Sequence, residues 1–301
     1  MDINSKLAKK IINGEFIVTA EILPGASGNG PATEAALKAL GSGLTAVNVA
    51  DNCHNIGMSA IAASAAVLKT GAEPICNIVT RDRNRIALQS DLLGAAYLGI
   101  KNVLCLSGYH QALSTSPQSA NVYDIDSTQL IEMVTNMSEK GQLADGTKIE
   151  GEFKMLAGAA ANPFLKPMEL NMIRLQKKID AGAKFIQTAA VFDVEAFGQW
   201  LEAAKTEGIP QKAAIFAGVE VLDCADEAER LRKTYTDYCI PDNVIERLRK
   251  AGDATAQKKE GQNICVEIIK KLKNMKGLRG IHILCGCKGK ISREAVNAAL
   301  S

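Results

Sequence analysis

Residues 80–109 read TRDRNRIALQSDLLGAAYLGIKNVLCLSGY, and this stretch decides the fold. It follows the apolar run Pro74–Val79, opens with the charged cluster Arg81-Asp82-Arg83-Asn84-Arg85, continues as an amphipathic helical pattern over Arg85–Leu98, and closes on the apolar run Asn102–Ser107. That is a strand, a helix and the next strand, with charge gathered just after the first strand. In a parallel α/β protein, side chains at the carboxyl ends of strands face the ligand site.

The same unit recurs in both directions. Apolar runs that read as strands lie at Phe16–Ile22, Leu44–Ala50, Pro74–Val79, Asn102–Ser107, Lys154–Ala160, Lys184–Ala190, Ala213–Gly218 and Gly280–Cys285. Helical patterns fill most of the intervals, at Ala32–Leu40, Ser59–Lys69, Arg85–Leu98, Ser127–Lys140, Pro167–Ala181 and Val194–Glu207. Strands alternating with helices argue for a parallel sheet. Eight such units predict a single-domain (β/α)8 barrel over residues 1–301. A doubly wound sheet is the competitor, but its glycine fingerprint is missing. Gly25, Gly28 and Gly30 follow the first strand at the wrong spacing for a pyrophosphate turn. Two connections are long. Ser107 to Phe153 holds a loop, a helix and a Gly-rich segment, and Leu222 to Lys276 holds two or three helices. Long connections from the carboxyl ends of strands suit a site at that face.

Composition narrows the function classes. The 301 residues carry 35 basic and 33 acidic side chains, a formal charge of +2, which gives no electrostatic case for nucleic acid or an anionic membrane. The longest apolar candidate, Ala60–Val67, falls far short of the ~20 residues of a spanning helix. The opening MDINSKLAKKIING reads as an amphipathic helix rather than a signal peptide, and the expected location is the cytoplasm. The 8 cysteines form no CxxC pair, and most sit singly in apolar runs, as buried thiols do. His282, Cys285 and Cys287 are close in sequence, but a structural zinc site needs a fourth ligand and wider spacing, so no metal is expected.

Several strand ends carry polar residues. Glu21 is an acid inside an apolar strand, where an ionised, unpaired carboxylate costs several kcal/mol. It either pairs with a base such as Arg81 or has a raised pKa that suits a general acid. The second strand ends at Asp51, the third leads into Arg81, and Asp82 or Asn84 is placed to cap the helix that follows. The fourth ends Ser107-Gly108-Tyr109-His110. The fifth ends in small residues through Ala160 to Asn162, which let a flat ligand approach the backbone. In the sixth, Gln187 and Thr188 either bond each other or serve a ligand.

Taken in order, these residues resemble the methylenetetrahydrofolate reductase family, especially its short bacterial form. The similarity rests on TAEILPG, TRDRNRIALQSDLLGAAYLGIKNVL, PQSANVYDIDSTQLI, GAAANPF, KKIDAGAKFIQT, VFDVEAF and IPDNVIERL. It implies a (β/α)8 barrel that binds FAD, with folate stacked on the flavin and reduced by hydride transfer to 5-methyltetrahydrofolate. Glu21 would protonate the folate nitrogen as the five-membered ring opens. The cofactor-binding set implied is Asp51, Asn77, Arg81, Ser107, Gly108, Tyr109, His110, Ala160, Asn162 and Lys178, with Lys178 toward the FAD phosphates. The substrate set is Gln187, Ala189 and Lys288. Two positions depart from the family pattern. Tyr109 stands where an Asp is usual, and Ala189 where a second Gln is usual, which puts the flavin in question. The alternative is a flavin-free folate-binding relative, acting as a methyltransferase between tetrahydrofolate and a corrinoid carrier or as a subunit of a one-carbon complex. The expected partners are an electron-transfer or corrinoid subunit, in a homo- or hetero-oligomer.

Overall fold

The computed structural model describes residues 4–27, 31–53, 55–286 and 291–301. Lys288 and Cys287 therefore lie outside the described residues. Eight parallel strands close into a barrel in sequence order: β1 Ile17–Ile22, β2 Ala46–Val49, β3 Pro74–Val79, β4 Asn102–Leu106, β5 Leu156–Ala161, β6 Phe185–Ala190, β7 Ala214–Val219 and β8 Gly280–Ile283. Closure is made by β8 lying parallel to β1, with Ile17 opposite Gly280 and Thr19 opposite His282. Strands buried on both faces read as unbroken apolar runs, and β3 and β7 are buried along their whole length.

The long connections resolve as helices. Ser127–Lys140 lies between β4 and β5, preceded by a short 3-10 turn at Gln111–Leu113. Between β7 and β8 run Ala225–Thr234, Asp242–Lys250 and Ala254–Lys273. Local signals set the helix starts. Asn84 Oδ1 accepts the amides of Ile86 and Ala87, so it, rather than Asp82, caps Arg85–Tyr97. Asp126 and Gln129 form a reciprocal capping box at the start of Ser127–Lys140.

Two apolar layers fill the molecule. The larger lies between the strands and the surrounding helices. The smaller fills the amino-terminal half of the barrel, where Ile17, Ile75, Leu104, Leu156, Phe185 and Phe216 meet Leu7 and Ala8 of the first helix, Lys6–Ile12. That helix closes the barrel floor, tied by Glu73, whose carboxylate accepts the backbone amides of Lys6 (2.5 Å) and Leu7 (2.8 Å). No helix among the described residues is long and apolar enough to cross a membrane.

Large and small residues alternate inside the barrel. Phe185 stacks on Phe216 with ring centroids 5.8 Å apart, and Gly158, its register partner on β5, leaves room for the ring. A Cβ at Gly158 would stand 2.1 Å from Phe185 Cζ, and the fully buried, stacked ring has nowhere to move. Gly158→Ala is therefore expected to destabilise the fold by about 1–3 kcal/mol, the usual range for overpacking a core. Phe185→Leu in the same chain should restore part of that loss in a denaturant titration. Unchanged stability in Gly158→Ala would contradict this packing.

Candidate functional site

The carboxyl ends of the strands surround a cavity of about 400 Å³. Its lining includes Glu21, Asp51, Asn77, Arg81, Ser107, Gly108, Tyr109, Ala160, Asn162, Lys178, Gln187 and Ala189. The barrel thus brings together twelve of the residues singled out above. His110 is not among them. It is exposed, caps the turn at Gln111–Leu113 and bonds Asn121 at 2.9 Å.

An amide network floors the cavity. Side chains alternate along each strand, so the residues one step above the apolar layer also point inward. Asn48 Nδ2 donates to Asn77 Oδ1 (2.9 Å) and to Gln187 Oε1 (2.8 Å). Gln187 Nε2 faces Asn48 Oδ1 (2.9 Å), Thr19 Oγ1 (3.1 Å) and His282 Nδ1 (3.2 Å). His282 Nδ1 also lies 2.9 Å from Thr19 Oγ1, and burial pushes the His282 pKa down to about 3, so the ring is neutral. Gln187 does not bond Thr188, because adjacent strand residues face opposite ways. Thr188 Oγ1 instead accepts the Gly218 amide at 2.9 Å.

The network fixes the donor given to Glu21. With Asn77 Oδ1 held by Asn48, Asn77 Nδ2 points to Glu21 Oε1 at 3.4 Å, and Cys285 Sγ lies 3.4 Å from Oε2. An amide bond that long is weak, and a thiol is a weak donor. Together with a hydrogen bond from the Cys285 backbone they do not offset the loss of water around the carboxylate, so burial raises the Glu21 pKa. The salt bridge to Arg81 considered from the sequence does not form. Arg81 is 1% exposed, pairs with Asp82 at 2.8 Å and donates to the backbone oxygens of Asn52 (2.8 Å) and Tyr109 (3.0 Å). It clamps the loops after β2 and β4 together, which leaves its guanidinium committed to protein. Asp51 is likewise held, by Arg83 at 2.6 Å and the Val79 amide at 3.0 Å.

The loop after β4 turns sharply at Gly108, whose φ of +83° and close neighbours Arg81 and Val79 exclude a side chain without strain. This turn sends Tyr109 across the cavity, where its hydroxyl donates to Asp237 and its ring packs on Tyr235 at 5.2 Å. Asp237 and Tyr238 belong to the connection between Ala225–Thr234 and Asp242–Lys250, which also touches β5 through Asn162 Nδ2 and the Thr236 oxygen at 3.4 Å. Tyr238 donates to Glu220 Oε2 at 2.8 Å. Burial raises the Asp237 pKa and pushes Glu220 up to about 8, with the nearby carboxylates of Glu227, Glu21 and Asp237 adding to the rise in Glu220.

Sequence reading missed Glu220, Asp237, Tyr238 and Asn48, and weighed His282 only as a metal ligand, a role it set aside. Glu220 carried the same signal as Glu21, an acid closing an apolar strand. Asp237 had none, since nothing local reveals that a helical connection folds back over the barrel mouth. Among the described residues, no group of three His, Cys, Asp or Glu side chains is placed to hold a metal ion.

One wall suits a flat cofactor with an anionic tail. Ala160 and Ala189 present small side chains to the cavity, and Ala161 and Ala190 beside them also line it. Beside them Lys178 Nζ donates to the Ala160 oxygen at 2.6 Å, and Ser127 brings the amino terminus of its 14-residue helix to the rim. That amino terminus is capped by the Asp126 carboxylate, so the attraction for phosphate oxygens at this wall comes from Lys178.

Comparison with known proteins accords with this arrangement. A search of curated sequences gives no match. Among solved structures, an uncharacterized protein from Clostridium thermocellum that binds two copies of 5-methyl-5,6,7,8-tetrahydrofolic acid superposes with a TM-score of 0.65 at 14% identity, over 98% of this chain and 96% of that one. An oxaloacetate acetylhydrolase in complex with the inhibitor 3,3-difluorooxalacetate gives a TM-score of 0.51 at 11% identity, over 94% and 80%. At such identities these likenesses speak to the barrel alone. The sequence itself goes further: residues 6–298 match the profile described as methylenetetrahydrofolate reductase, nearly the whole barrel with its site, and the chain belongs to that family.

Proposed function

We propose that the cavity binds a folate and that the protein reduces 5,10-methylenetetrahydrofolate to 5-methyltetrahydrofolate with a bound flavin. The observation that carries this reading is Glu21, a buried carboxyl in the cavity with no cation beside it and a raised pKa, in a chain of this family. A protonated Glu21 is suited to deliver its proton to the folate nitrogen as the ring carbon–nitrogen bond breaks, while the methylene carbon gains hydride. When bound, the reduced flavin supplies that hydride. The small-residue wall would take the ring system, and Lys178 would hold its phosphates. The Clostridium thermocellum protein that binds 5-methyltetrahydrofolate supports folate as the ligand class. The electron donor to the flavin would be a partner subunit or a nicotinamide cofactor.

One feature favours a second reading. The Tyr109–Asp237 contact crosses the barrel mouth at the position where the family resemblance puts a flavin-contacting acid. A flavin-free relative that passes a methyl group between tetrahydrofolate and a corrinoid partner would use the same acid, Glu21, at the nitrogen that carries the methyl group rather than at the one freed by ring opening.

Titration of the purified protein with FAD separates the two. The reductase reading expects saturable binding with a perturbed flavin spectrum. A protein that ignores FAD yet binds 5-methyltetrahydrofolate would select methyl transfer instead. Glu21→Gln is expected to lower kcat by about 10²–10⁴, the usual worth of a general acid, with folate affinity changed by less than a few-fold. Because the acid form is the active one and its pKa is raised, wild-type kcat should be level at low pH and fall as pH rises through that pKa. A Glu21→Gln enzyme with wild-type kcat would refute the assignment.

A further inference from the structure

The strand register places a second acid at the level of Glu21. Ala20 pairs with Ile283 across β1 and β8, and Val219 pairs with the same Ile283 across β7 and β8. One residue further on, Glu21 and Glu220 flank Leu284 at one height, with roughly 9–10 Å between their backbones, two strand spacings. Glu220 lines the cavity and is 7% exposed. Tyr238 occupies its Oε2, and Oε1 sits against Gly286, a cavity-lining residue where a Cβ would come within 2.4 Å of that oxygen. Gly286, with φ +59°, thus leaves space for Oε1 at the cavity surface. Among the described residues Oε1 has no hydrogen-bond partner.

We propose that Glu220 is a second acid of the site, one that binds rather than reacts: it donates a hydrogen bond from protonated Oε1 to an acceptor atom of the bound pterin. The inference rests on the folate reading and deepens it. Tyr238 donates to Oε2, so Oε2 is the acceptor oxygen and the proton resides on Oε1. The groups around Glu220 give its ionised form little support. From the connection above come the Tyr238 phenol and Asp237, from the helix Ala225–Thr234 comes Glu227, and from β1 comes Glu21. The thiols of Cys265 on Ala254–Lys273 and of Cys285 after β8 complete the surroundings. Burial among these acids, phenols and thiols holds the Glu220 pKa near 8, so the donor form prevails at neutral pH. A ligand meeting this wall must present a ring carbonyl or an unprotonated ring nitrogen.

The test is the pH dependence of 5-methyltetrahydrofolate binding, measured in a Glu21→Gln background so that Glu21 does not titrate. The Kd should be level up to pH 7 and then rise, approaching about tenfold per unit above pH 8 as Oε1 loses its proton. Adding Glu220→Gln, which keeps an N–H donor and cannot ionise, should flatten the profile. Tyr238→Phe, which removes the hydrogen bond favouring the ionised form, should move the break to higher pH. A break that survives Glu220→Gln, or a flat profile in its absence, would overturn the Glu220 role while leaving folate binding in place. Absence of folate binding by the wild-type protein at every pH would overturn both this inference and the functional reading beneath it.

Discussion

The site is organised around a carboxyl group that the barrel cannot solvate. Glu21 sits above the amide network that covers the apolar layer of the barrel, and its donors are the Asn77 amide at 3.4 Å, the Cys285 thiol at 3.4 Å and the Cys285 backbone. Full compensation of a buried carboxylate needs a cation or several short hydrogen bonds. The nearest arginine that could have supplied one, Arg81, is spent on Asp82 and two backbone oxygens. What remains is a group for which the neutral form is favoured, in a cavity open to a ligand. The amides of Asn48 and Gln187 matter because they orient Asn77 and so decide which Glu21 oxygen receives a donor.

The same constraint extends around the rim. Glu220 and Asp237 also have raised pKa values, and their partners are tyrosine hydroxyls rather than cations. Basic side chains gather elsewhere: Arg81 and Arg83 behind the β3 loop in ion pairs, Lys178 at the small-residue wall. The cavity therefore has an acidic, phenolic side and an opposite side suited to an anionic tail. This polarity is what a folate and a phosphate-bearing cofactor require of one shared cleft.

Much of the fold was legible because barrel strands buried on both faces leave a simple trace. Pro74–Val79 is a strand from its first residue to its last, and β7 differs from its reading by one residue at each end. Less sharp were β2 and β8, whose apolar runs extend past the last paired residue, since side-chain burial outlasts backbone pairing at the barrel mouth. In the site, residues that follow strands directly were placed well, because the fold itself carries them to the cavity. His110 failed as a candidate since the turn at Gly108 sends Tyr109 inward and leaves the next side chain outside. Asp237 and Tyr238 were invisible: their position depends on a tertiary return of the β7–β8 connection, which no local pattern announces. Asn48 read as an ordinary polar strand residue, and its role emerges only from its bonds to Asn77 and Gln187 on two other strands.

The central claim is that Glu21 keeps its proton to a higher pH than an ordinary carboxyl group. Infrared difference spectroscopy between the wild-type protein and Glu21→Gln tests it directly, by the carbonyl stretch of a protonated buried carboxyl group. The account predicts a protonated-carboxyl band that the substitution removes and that the wild-type protein keeps above the pH at which an ordinary carboxyl group ionises. A spectrum in which Glu21 ionises at or below that ordinary pH would contradict it.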